Sequence, residues 1–148
     1  RPAATPLVRG DVDGRVSAPR LLVLADDLIW ATRLEGQGRT IGAAVERFHA
    51  PEPLIEAFSA GPAGARDLVA IDATARSYVA AVVVRTVAAA GGRVLALVQH
   101  DDPGTRAELL AAGATRAMPY RALFERGHAI LAELLDLPLP VGGGSENR

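Results

Sequence analysis

The chain has 148 residues, 49% hydrophobic and 22% charged, with a formal net charge of −1; that is enough for one domain with a single core and too apolar for a disordered chain. All 16 basic residues are arginine and they form no face-long basic run, so nucleic acid is not an expected partner and any chemistry requiring lysine is excluded. Cysteine is absent and no apolar run reaches the length of a membrane span, which excludes disulfides, thiolate metal sites and a membrane anchor and makes the cytoplasm the expected compartment.

Residues 1–20 hold three prolines and two glycines without apolar periodicity and read as a flexible N-terminal arm. The domain proper is expected over 21–135. LLVLA, Leu21 to Ala25, is a continuous apolar run of buried-strand type, and the helix after it is entered through Asp26 or Asp27. AAVERFHA, Ala43 to Ala50, alternates as a second strand. PEPLIEAFSAG then opens on proline and ends on glycine, as a second helix should. ARDLVAID is a third strand ending on Asp72, and TARSYVAAVVVRTVAAAGG predicts a third helix from about Thr74 to a glycine pair. RVLALVQ, HDDPGTRAELLAAGA, TRAMPY and RALFERGHAILAELLD supply a fourth strand, fourth helix, fifth strand and fifth helix, the last with a broad apolar stripe. Residues 136–148, rich in Pro, Gly and Ser toward the end, read as a flexible tail.

Strict alternation of strand and helix with near-continuous apolar strands implies a parallel sheet covered on both faces, because right-handed crossovers place helices on each side. The expected class is a doubly wound α/β sandwich, in which ligands bind beyond the carboxyl ends of the strands. Asp26 and Asp27 follow strand one and Asp72 ends strand three, so three carboxylates converge there if strands one and three are neighbours. Oxygen donors with room for water suit Mg²⁺, and a carboxylate held against that ion can accept a phosphoryl group. The plainer reading makes the same acids helix caps and turn residues.

Other candidates carry the same two readings. Trp30 beside the acids either gates the cleft or is ordinarily half-buried; Arg33 or Arg76 either grips a phosphate or is a solvated surface cation. His100, next to Asp101 and Asp102, invites a general-base reading, whereas the acids more simply cap helix four ahead of Pro103. No phosphate-binding glycine loop or nucleophile elbow occurs.

VLADDLIW, DLVAID and VLALVQHDDPGTRAELLAAGATRAMPY together resemble the receiver domain of bacterial response regulators over residues 21–135. The resemblance implies a flavodoxin-like sheet in the order 2-1-3-4-5, Asp72 as phosphoacceptor, and Mg²⁺ held by Asp26, Asp27, Asp72 and the Thr74 backbone. Set against that family, the chain shows three departures. The hydroxyl position after strand four falls on Val98. The lysine position after strand five falls on Met118 before Pro119, or on Tyr120 in an ungapped register. The Met-Pro and glycine usual after the acceptor are absent from ATARSYVAA. The expected function is therefore an atypical, stand-alone pseudo-receiver that is not an enzyme and acts through protein contacts, with phosphorylation switching impaired. A signalling protein such as a histidine kinase is the implied partner, and a homodimer through helix four, strand five and helix five is implied as well. Two alternatives stand beside it: a phosphorylatable receiver using Asp72 with Mg²⁺, and a small α/β ligand-binding module or enzyme using the same strand-end cleft.

Overall fold

The computed structural model describes residues 18–61, 66–99 and 102–139; most of the arm and tail expected from the sequence, and His100 and Asp101, lie outside the described residues. Five parallel strands, β1 (Arg20–Leu24), β2 (Ala44–Phe48), β3 (Leu68–Asp72), β4 (Arg93–Val98) and β5 (Arg116–Pro119), form one sheet in the order β2-β1-β3-β4-β5. Between and after them run α1 (Leu28–Thr40), α2 (Pro51–Ser59), α3 (Ala80–Ala89), α4 (Pro103–Ala111) and α5 (Tyr120–Leu135). The order reverses after β1, so β1 and β3 are neighbours at the switch point.

Burial follows strand position. The central β1, β3 and β4 are buried almost throughout, whereas the edge strand β2 is largely exposed, with only Val45 and Phe48 partly buried, one against each core. Successive residues of the central strands feed opposite cores. Leu21, Val23, Leu68, Ala70, Leu95 and Leu97 pack with α1 and α5, and Leu22, Leu24, Val69, Ile71, Val94 and Ala96 pack with α2, α3 and α4. β5 ends on Pro119, tolerated because it is the last residue of an edge strand.

Helix ends follow their local chemistry. Asp27 caps α1 by accepting from the Ile29 and Trp30 N–H groups at 2.8 and 3.4 Å, and Asp102 caps α4 by accepting from Thr105 N–H at 3.1 Å. Bonds from Thr105 also hold the Asp102 carboxyl below its ordinary range. Gly113, at φ 117°, turns the chain out of α4 where a Cβ would meet Ala88 at 2.6 Å, so no other residue fits that turn. α5 is broken at Arg126, whose φ and ψ of −135° and 28° are not helical. Beside the break, the Gln37 amide of α1 donates to the Leu123 carbonyl at 2.9 Å, and a Cβ on Gly127 would strike that amide.

Two differences from the sequence reading bear on the site. α3 begins at Ala80 rather than near Thr74, because residues 73–79 are drawn into bonds with the strand ends described below. β1 takes in Arg20, whose backbone N–H and guanidinium both bond to Asp67 ahead of β3, with the shortest contact 2.6 Å. No described helix is long and apolar enough to cross a membrane.

The Arg20–Asp67 pair closes the amino edge of the sheet with side chains only 22% and 6% exposed. Asp67→Ala leaves a largely buried guanidinium without its partner, and urea unfolding should show a loss of about 2 kcal/mol.

Candidate functional site

The site is built at the carboxyl edge, where β1 and β3 end side by side. Strand alternation turns Asp72 toward α1 and α5, since Ile71 before it packs on the opposite core. The parallel register sets Asp72, Leu97 and Met118 in one row across β3, β4 and β5. Met118 packs into the α1–α5 core and gives that row a thioether, and Val98, one residue beyond Leu97, is buried in the other core.

Asp72 is 2% exposed. Its Oδ1 accepts from the Thr74 N–H at 2.9 Å and the Thr74 hydroxyl at 2.6 Å, a turn that the carboxylate closes on itself. No ion pair joins it to a basic side chain among the described residues. Tyr78 reaches back beneath the same turn: its hydroxyl lies 2.8 Å from the Asp72 carbonyl and 3.1 Å from the Leu24 carbonyl, sharing its proton between the two strand ends. Ser77 donates to Asp26 at 2.8 Å. These contacts to Asp26, Leu24 and Asp72 pull residues 77 and 78 out of helical geometry, so the alanine-rich helix starts after them.

Tyr120 fills the space above Asp72. It opens α5, is 6% exposed, and stacks on Trp30 of α1 with ring centroids 4.0 Å apart and planes 22° from parallel. Its hydroxyl is buried near enough to Asp72 to feel the carboxylate's charge but makes no hydrogen bond. Burial first, and then the negative charge of Asp72, push the ionisation of both tyrosines far above the ordinary range.

The three acids lie at the ends of the neighbouring strands β1 and β3, each with one oxygen engaged: Asp27 caps α1, Asp26 accepts from Ser77, and Asp72 accepts from the Thr74 N–H and hydroxyl. Among the described residues no three acidic or histidine side chains are grouped to hold a metal ion. Mg²⁺ takes oxygen ligands and retains water, and the residues that would hold it are Asp26, Asp27 and Asp72, each with its second carboxylate oxygen without a bond to a described residue. Of the arginines considered as a substitute cation, Arg33 lies 4.3 Å over the Phe124 ring and Arg76 is exposed; neither is paired with Asp72. Asp102 is the cap of α4, the simpler of its two readings. Trp30 is half-buried, as ordinary packing predicts, but the ring it packs on is the one covering Asp72. The sequence signal for Tyr120 was its place after Met118–Pro119, at the alternative lysine register; nothing in the sequence pointed to Tyr78 as the tie between β1 and β3.

No protein-family model and no curated protein sequence matches the chain. Solved structures do match in fold. A putative response regulator from Chloroflexus aurantiacus J-10-fl superposes with a TM-score of 0.70 at 17% identity, covering 81% of this chain and 99% of that one. A response regulator from Thermotoga maritima gives 0.67 at 15% identity with the same coverage, and a BeF3-activated DrrB receiver domain gives 0.68 at 16%, again with that coverage. The fold is that of response-regulator receiver domains, flavodoxin-like in the order expected from the sequence.

The two tyrosines of the chain report directly on this arrangement. Each ionises in the unfolded chain near the ordinary value of 10.0 and only at higher pH when folded. Above that value the folded state holds more protons than the unfolded one, so stability present below pH 10 is lost as pH rises past it. Absorbance at the tyrosinate band should therefore stay flat on alkaline titration until the protein unfolds. A smooth rise while the fold persists would contradict the burial of these hydroxyls.

Proposed function

We propose that the chain is an atypical receiver: a cytoplasmic signalling domain that acts by binding protein partners, is not an enzyme, and does not use phosphorylation of Asp72 as an effective switch. The observation that carries this reading is the environment of Asp72, a carboxylate 2% exposed, closed by Thr74, covered by Tyr120 and without a paired cation. A phosphoryl group there would meet the thioether of Met118 on its own face of the sheet, and Val98, buried on the opposite face, offers it no hydroxyl. Neither binds it more strongly in one conformation than in another, and a ligand with equal affinity for two states shifts neither.

The partner is a second signalling protein, such as a histidine kinase, or a second copy of this chain. The α4–β5–α5 face is the surface assigned to the dimer, and Leu110 of α4 is exposed. A chain that stays monomeric in sedimentation at high concentration would remove the dimer from this reading.

Incubation with acetyl phosphate and Mg²⁺ should add no phosphoryl mass, and beryllofluoride should leave the amide spectrum unchanged. A stoichiometric mass gain that disappears in Asp72→Asn would instead make the protein a working phosphoacceptor.

A further inference from the structure

The stack of Trp30 on Tyr120 is also one wall of a cavity of about 620 Å³ that opens at the carboxyl edge of the sheet. Its size lies within the range of small-molecule sites, roughly 300–1,000 Å³. Trp30, Tyr120 and Phe124 supply flat apolar surface, and Asp27, Thr74 and Gln99 supply the polar side. Three of these groups keep unused hydrogen-bonding capacity. The Asp27 cap uses Oδ1, leaving Oδ2 without a bond to a described residue. The exposed Gln99 amide makes no hydrogen bond to another described residue. The Tyr120 hydroxyl is buried and unpartnered in a side chain 6% exposed, the kind of orphaned group that a bound molecule or water satisfies.

Charge decides what class of molecule fits. Asp27 lines the cavity, and Asp72 lies beneath Tyr120, near enough to raise that tyrosine's ionisation. The cation at the rim, Arg121, is already paired with Glu125 at 3.2 Å, and Arg33 is held over Phe124. An anion entering would meet one carboxylate on the wall and a second below the floor, and the cation among the described lining residues, Arg121, lies exposed at the rim in its pair with Glu125. A flat ring bearing N–H groups would stack on the aromatic wall and donate to Asp27 and Gln99.

We propose that this cavity binds a small planar aromatic molecule, neutral or cationic, with hydrogen-bond donors along one edge. The reading goes beyond the signalling proposal and holds whether or not Asp72 accepts phosphate.

Three probes of matched shape separate the possibilities: 4-aminoquinoline, cationic at neutral pH; quinoline, neutral; and quinoline-4-carboxylate, anionic. Calorimetric titration of the full chain should give saturable one-to-one binding of 4-aminoquinoline and, more weakly because it has no N–H donor, of quinoline, with a shift in emission from Trp30, the single tryptophan. The carboxylate should bind at least about tenfold more weakly than 4-aminoquinoline, the effect of one like charge at short range near a protein surface. Asp27→Asn keeps a good helix cap, so it should melt like the parent while weakening 4-aminoquinoline about tenfold and leaving quinoline unchanged. Gln99→Leu, at an exposed position, should weaken 4-aminoquinoline. No saturable binding of 4-aminoquinoline or quinoline up to about 1 mM, binding without a change in Trp30 emission, or equal affinity for the anionic probe would each overturn the proposal.

Discussion

A carboxylate at the end of a fully buried strand has to be satisfied by something, because leaving a charge unsolvated in a protein interior costs several kcal/mol. At Asp72 the solution is local and neutral: two bonds from Thr74 to one oxygen. Everything around the site follows from that choice. Thr74 must turn back immediately, so the chain cannot enter a helix there, and the next residues span the gap to Asp26 and to the end of β1 before α3 begins. The ends of β1 and β3 are thereby tied together by hydroxyls.

The same economy explains the aromatic pair. The chain has no lysine, and on the row from β5 to β3 it is Met118 that stands at the β5 position and packs against the core. The volume above Asp72 is taken by the next large side chain, Tyr120, fixed by its stack on Trp30. Trp30 in turn is oriented by a helix whose first turn is capped by Asp27. Asp27 thus serves as a cap, Asp72 closes a turn and Tyr120 covers it, and the acidic character of this edge is better suited to donors than to anions.

Much of the fold was legible because its rules are local or nearly so. The buried runs LLVLA, LVAID and RVLALV are strands since only a sheet covered on both faces accepts five or six apolar residues in succession, and the acids and prolines before α1, α2 and α4 mark helix starts through bonds or geometry a few residues long. The sheet order followed once the resemblance was drawn. The site was less legible. The placement of Asp26, Asp27 and Asp72 at strand ends was evident, but whether three carboxylates converge depends on where each finds its hydrogen bonds, and those partners, Ser77 and Thr74, sit in a segment whose composition reads as helix. Tyr78 bonds Leu24 across 54 positions and Gln37 bonds Leu123 across 86, pairings that periodicity does not encode. The break in α5 likewise has no proline to announce it; it depends on Gly127 and on an amide from another helix.

That break divides labour within α5. The segment from Tyr120 to Glu125 carries the ring over Asp72 and the Phe124 side of the cavity, and the segment after Arg126 buries Ile130, Leu131, Leu134 and Leu135 in the core. A continuous helix would act as a lever, carrying any displacement at its first turn sixteen residues down to its last. Here the helix is broken at Arg126 and the Gln37 amide takes up the Leu123 carbonyl, so the two segments meet at a joint. The ring over Asp72 is thereby anchored sideways to α1, by that bond and by its stack on Trp30, independently of the seat that the second segment has in the core.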